Sequence, residues 1–315
     1  MKKLLRPVFL VLLIAFLCSC ELVYKAPEKG KLRVFIYAND YKYGYTTKVL
    51  NTINDGVQTG LCLTALAEKT ETDYEVYYFL GKDAENKRGA IPVSDKVTVS
   101  NDVTLDVFVS KVDEVSGQVR DGDMTVFYFS CHGSRNNKNT LPYGTDTAAD
   151  SFIVFNNAAN NDFEFSAVKY MKDKISSLSG TKVVFADFCH SGAFVQADYV
   201  SVNYGEYSGM TPVQLLGHSA DIDVDPSFFC LSAARYYQES YESGPHGYFT
   251  KALLGGLGWD EENGCLTASP VLDRGAIRLL DLAAYVREND NEGAGHTQTP
   301  MFSGGSSDLV LFSFR

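Results

Sequence analysis

Thr125-Val126-Phe127-Tyr128-Phe129-Ser130 runs straight into Cys131-His132-Gly133-Ser134, and Lys182-Val183-Val184-Phe185-Ala186-Asp187 runs straight into Phe188-Cys189-His190-Ser191-Gly192. Each is a short apolar run that ends in a small polar cluster. Near-continuous apolar strands fit a sheet covered on both faces, which is the habit of parallel sheets. Such sheets place their sites beyond the carboxyl ends of the strands. If the two runs are neighbouring parallel strands, both clusters emerge at one sheet edge, and a thiol meets an imidazole there.

The rest of the chain fits that frame. Residues 33–37, 74–80 and 228–232 read as strands, and 152–155 as a short one. Residues 47–68, 105–119, 167–177, 190–197, 248–257 and 281–288 carry apolar side chains at helical spacing. The alternation predicts an α/β fold: a mostly parallel central sheet with helices on both faces. Residues 198–227 lack periodicity and carry Asp221, Asp223 and Asp225, so they read as a long surface connection, of a length uncommon unless functional.

The chain has 315 residues, enough for one large domain or two small ones. Its formal charge of −11 and lack of basic tracts exclude a nucleic-acid binder. Lys2, Lys3 and Arg6 precede an apolar run over 8–17 and then Cys18-Ser19-Cys20, which reads as a secretion signal too short to span a membrane. The end of that segment resembles a bacterial lipobox, whose final Cys is lipidated. This implies a signal over 1–19, a lipid anchor on Cys20 and a tether over 20–30. The expected location is the cell envelope, with the membrane reached through the anchor. Loss of the three basic residues would take the charge from −11 to −14. A plain cleaved signal is the alternative.

Of the seven cysteines, five lie beyond the signal segment at 62, 131, 189, 230 and 265, without zinc-like pairing. Cys189 is the one with chemistry beside it. A thiolate is the nucleophilic form, favoured by an imidazolium and by a helix N-terminus, which 190–197 is expected to supply. His132 can protonate a leaving amine. The N–H groups of Gly133 and Cys189 can hold an oxyanion, and glycine at 133 leaves room for a substrate to approach the backbone. Blander readings stay open at this point. A Cys at a strand end is most often a small buried hydrophobe. A zinc or copper site from Cys131, His132, Cys189 and His190 is a third reading.

The two segments resemble the active-site blocks of the caspase/metacaspase family of cysteine peptidases. That family shows Ser-Gly-His-Gly at its histidine and, in metacaspases, Asp-x-Cys-His-Ser-Gly at its cysteine. Three further stretches are similar in the same order. Leu50 to Gly56 resembles the Asn-Asp turn after the first strand. Leu231-Ser232-Ala233-Ala234 with Gln238 and Glu242 resembles the strand that opens the small subunit. His246-Gly247-Tyr248-Phe249-Thr250 resembles its helix start.

The resemblance implies a caspase-like three-layer αβα sandwich over 31–315, with a large-subunit-like part at 31–197, the connection at 198–227 and a small-subunit-like part at 228–315. It implies a cysteine endopeptidase with a Cys189–His132 dyad acting on peptide or protein substrates. It also places Asp55, Ser130 and Asp187 around the pocket for the residue before the cut bond. Two carboxylates there favour Arg or Lys and repel an acidic side chain. The competing reading is that Asp187 caps the helix that follows it. His246 is read as a helix-start residue, and His218 and His296 as surface residues.

Cys131 departs from the family's Gly, which implies crowding beside the site or oxidative pairing with Cys189. The alternative function is therefore a scaffold that binds peptides or partners without cutting. No Lys or Arg lies between Lys182 and Arg235, so a protease of basic specificity leaves its own connection intact, whereas acidic specificity would cut near 221–225. No cofactor or metal is required on this reading. Calcium activation enters only through the resemblance, since the 221–225 acids lack full calcium-loop spacing. A monomer is expected.

Overall fold

The computed structural model describes residues 30–41, 51–81, 89–135, 151–157, 162–196, 225, 227–290, 297–303 and 309–314. The expected signal, Cys20 and its tether, almost all of the 198–227 connection, His218 and His296 lie outside them.

A seven-stranded sheet forms the centre. Its strands in chain order are β1 (Leu32–Ala38), β2 (Tyr74–Leu80), β3 (Val97–Ser100), β4 (Met124–Ser130), β5 (Thr181–Asp187), β6 (Phe228–Ser232) and β7 (Met301–Ser303). The spatial order is β7-β6-β5-β4-β1-β2-β3. β1 to β6 run parallel, and β7 closes the edge antiparallel to β6. The chain therefore builds outward in opposite directions from the β1–β4 pair, a topological switch point of the kind that opens a crevice at the carboxyl ends.

Six helices lie among the described residues: α1 (Thr52–Lys69), α2 (Leu105–Ser116), α3 (Val168–Ser176), α4 (Ala193–Gln196), α5 (Tyr248–Leu257) and α6 (Leu279–Asn289). Strand side chains alternate between two apolar layers. Val34, Ile36, Val126, Tyr128, Val183 and Phe185 pack with α1, α5 and α6. Phe35, Tyr37, Phe127, Phe129, Val184 and Ala186 pack with α2, α3 and α4. Both faces are dry, which explains the near-continuous apolar runs.

Four expectations need correction, and two strands were not anticipated. Asn54 and Asp55 do not form a turn; they lie in the first turns of α1. The helix expected over 190–197 is one turn, Ala193–Gln196. The strand seen at 152–155 belongs to a separate three-stranded antiparallel sheet made by Gly133–Arg135, Ser151–Asn157 and Asp162–Ala167. β3 and β7, of four and three residues, were not anticipated. The expected helix over 105–119 ends at Ser116, before Gly117.

Candidate active site

β4 and β5 are adjacent and in register, with Ser130 paired to Asp187, and Ser130 is paired on its other side to Ala38. The Cys131 N–H continues this ladder to the Asp187 carbonyl at 3.4 Å. The chains then turn off the sheet together. A side chain at Gly133 would meet the Cys189 carbonyl oxygen at 1.7 Å, so glycine is required there by protein–protein contact rather than by room for a substrate.

One cavity of about 260 Å³ opens at this edge. Thr52, Asp55, Ser130, Cys131, His132, Asp187, Cys189, Ser240, Tyr241, Glu242 and Gly247 line it. Three carboxylates face it, and no Lys or Arg is among the lining residues.

Tyr41 braces His132. The tyrosine hydroxyl accepts the His132 N–H at 3.0 Å and donates to the Val154 carbonyl at 2.6 Å, and the two rings lie 4.6 Å apart. Cys189 sits in the turn after β5, four residues before α4, so no helix N-terminus lies at the thiol. Its Sγ instead accepts the Ser240 N–H at 3.4 Å. Burial pushes the thiol above its ordinary value, and the Ser240 contacts oppose the push only in part. No backbone acceptor among the described residues takes the Cys189 N–H.

His190 turns away. Its φ is +66°, its Nδ1 lies 2.9 Å from the Tyr236 carbonyl, and burial lowers its pKa. The four-ligand metal reading fails on this orientation, and no three His, Cys, Asp or Glu converge as a metal set among the described residues. Cys131 is buried, with its side chain in the layer of Tyr37 and Phe129. Burial pushes its thiol well up.

The two pocket acids meet at the start of α5. Asp55 Oδ2 accepts the Gly247 N–H at 3.2 Å and the Ser130 hydroxyl at 3.3 Å. Asp187 Oδ2 accepts the Thr250 N–H at 3.2 Å and the Thr250 hydroxyl at 2.6 Å. Asp187 thus caps a helix, but it is α5 from across the sheet and not the helix that follows it. Carboxylates at a ten-residue helix N-terminus are favoured by its dipole. Burial, and then the charge of Asp55, still push Asp187 well above the carboxylate range. Burial raises Asp55 too, opposed by His246.

Sequence reasoning missed Tyr41, Ser240, Tyr241 and His246 as parts of this site. His246 shows why. Its Nδ1 lies 2.7 Å from Asp55 Oδ1, a contact across 191 residues that no local pattern announces.

Two solved structures are similar. Protein GSU0716 from Geobacter sulfurreducens shares 14% identity at a TM-score of 0.50, covering 89% of this chain and 95% of that one. Caspase-1 from Spodoptera frugiperda shares 12% identity at a TM-score of 0.53, covering 92% and 94%. No curated relative matches. Residues 34–306 match the family model of the caspase domain, Peptidase C14, so the chain belongs to the caspase-domain family of cysteine peptidases.

Proposed function

We propose that this protein is a cysteine endopeptidase that uses Cys189 as nucleophile and His132 as its acid–base partner, and that it cuts after Arg or Lys. The observation that carries the reading is the cavity: the Cys189 thiol, an imidazole and three carboxylates meet in it, with no Lys or Arg among the described residues that line it.

The Cys189 thiol passes its proton to His132 as Sγ attacks the substrate carbonyl carbon. The oxyanion is held by the N–H groups of Gly133 and Cys189. The imidazolium protonates the departing amine, and water then hydrolyses the thioester with His132 as base. A guanidinium or ammonium group of the substrate meets Asp187 at Oδ1, which accepts no hydrogen bond from the described residues.

The same proposal extends to a cell-envelope protein, anchored through Cys20, acting as an uncut monomer, with no required cofactor and calcium as an optional activator. A second reading, a scaffold that binds peptides without cutting, draws on one observation: burial raises the Cys189 thiol with no helix N-terminus to offset it.

The test is cleavage of fluorogenic peptides ending in Arg, Lys or Asp by protein lacking residues 1–20, under reducing conditions, with and without calcium. Cutting after Arg or Lys that vanishes in Cys189→Ala and His132→Ala supports the proposal. Cutting only after Asp removes the pocket assignment. No cutting at all leaves the scaffold.

A further inference from the structure

We propose that His246 is a positioning residue that sets the charge of the specificity cavity: as an imidazolium it neutralises Asp55 and leaves Asp187 as the carboxylate that meets a basic side chain. The inference rests on the peptidase reading for its biological use, but its geometry stands apart from catalysis.

His246 lies on the strand His246–Gly247, paired antiparallel with Glu242–Ser243. Its side chain is buried, with 7% exposure. Nδ1 faces Asp55 Oδ1 at 2.7 Å and Nε2 faces Glu261 Oε2 at 2.5 Å. A neutral imidazole has one donor and one acceptor nitrogen. With Asp55 and Glu261 both ionised, both nitrogens must donate, which only the cation can do. Asn54 fixes Glu261 in place, donating from Nδ2 to Oε1 at 2.8 Å. Asn54 and Asp55 are consecutive on α1, so one helix turn orients both acids that hold the ring.

Among the described residues, the charged groups around His246 are all acidic. They are Asp55 from α1, Glu261 beyond the strand Trp259–Asp260, Glu242 on the paired strand and, behind Asp55, Asp187 from β5. Burial disfavours the imidazolium, but hydrogen bonds and charge from Asp55 and Glu261 raise its pKa on balance.

The consequence concerns Asp187. Asp55 has both oxygens committed inside the protein: Oδ1 to His246, Oδ2 to Gly247 and Ser130. Among the described residues, Asp187 has only Oδ2 committed, to Thr250. The substrate cation is therefore read by Asp187. Two buried acids that influence each other cannot both ionise cheaply. Asp187 is held protonated by burial first, then by the charge of Asp55 and, more weakly, of Asp290; cancelling the charge of Asp55 with His246 lowers the pH at which Asp187 ionises.

Benzamidine, an amidinium, and its neutral isostere benzamide are titrated calorimetrically from pH 6 to 9 into the chain lacking residues 1–20. The wild type is expected to bind benzamidine at least about tenfold tighter than benzamide at pH 7. His246→Gln keeps a donor to Asp55 without the charge. It is expected to lose about tenfold at pH 7 and to lose less as pH rises, because Asp187 must then ionise without the cation beside Asp55. Glu261→Gln, at a partly exposed position, weakens the imidazolium and is expected to give a smaller loss in the same direction, which covers failure of the first variant to fold.

A wild type that does not prefer benzamidine overturns the proposal. So does a wild-type pH profile in both variants, or a loss equal at every pH, which would mean a purely structural role. Turnover of Arg peptides is scored separately. Selective benzamidine binding without turnover sinks the peptidase reading and leaves His246 its role.

Discussion

Gly133 stands directly against Cys189: a methyl group on its α-carbon would fall 1.7 Å from the Cys189 carbonyl oxygen and 2.7 Å from the Phe188 ring. The residue after His132 and the backbone of Cys189 are therefore packed against one another, and neither can shift alone. Gly133→Ala is expected to separate the two segments. Overpacking of this kind typically costs about 1–3 kcal/mol. Alkylation of Cys189 by iodoacetamide and peptide cleavage should both change by more than the shift in unfolding midpoint accounts for. Wild-type rates in Gly133→Ala would show that the contact relaxes without moving the site.

The titration of Cys189 separates a resting thiol from a preformed thiolate pair. Burial raises the Cys189 thiol, so its alkylation should be slow at pH 7 and climb only above the ordinary thiol range. The measurement belongs in a Cys265→Ser background, because Cys265 is the exposed free cysteine, while Cys62, Cys131 and Cys230 are buried. A fast plateau already reached at pH 6, lost in His132→Ala, would instead mean a thiolate–imidazolium pair at rest.

Asp187 carries two loads that one substitution can separate. Its Oδ2 caps α5 through Thr250, while Oδ1 accepts no hydrogen bond from the described residues. Asp187→Asn keeps an acceptor for the cap and removes the charge. It should raise KM for an Arg peptide by about ten- to a hundredfold, since a charge-assisted contact is worth roughly 1.5–3 kcal/mol. Thr250→Val removes the hydroxyl that Asp187 and Tyr128 both engage. It should lower stability by about 1 kcal/mol with a smaller change in KM. Equal KM effects from the two variants would reduce Asp187 to a structural cap.

How much of this was legible in the sequence depends on the range of the interaction. The strands ending at Ser130 and Asp187 announced themselves, because a sheet buried on both faces leaves unbroken apolar runs. Those runs also placed Cys189 and His132 at one edge. The family resemblance implied a turn at Asn54 and Asp55, whereas the helical spacing over 47–68 covers them; what neither shows is their partners. Those partners, Pro245, Gly247, His246 and Glu261, come from the other end of the chain. The segment after Cys189 reads as a helix over 190–197, of which Ala193–Gln196 is helical. In the fold His190 takes a left-handed conformation, and its N–H goes to the Gln238 carbonyl rather than to a helical partner.

Asp290 should make stability fall as pH rises towards neutrality. Its carboxyl has no exposed surface, and burial pushes it up to about 7, with Gln298 donating to Oδ1 at 2.6 Å and opposing the shift only in part. The ordinary value is about 4, so the unfolded chain gives up this proton first as pH rises. Stability contributed by the neutral acid is therefore present below about pH 4 and lost progressively up to about 7, then level above it. The difference is of the order of a few kcal/mol. Asp290→Asn removes the titration while keeping an acceptor for Gln298, whose Oε1 accepts the Tyr241 N–H at 2.7 Å at the cavity wall. Urea midpoints for the variant should exceed the wild type at pH 8 and match it at pH 4.5. A gain of equal size at both pH values would point to packing rather than charge, and no gain at pH 8 would mean that Asp290 ionises in the fold without penalty.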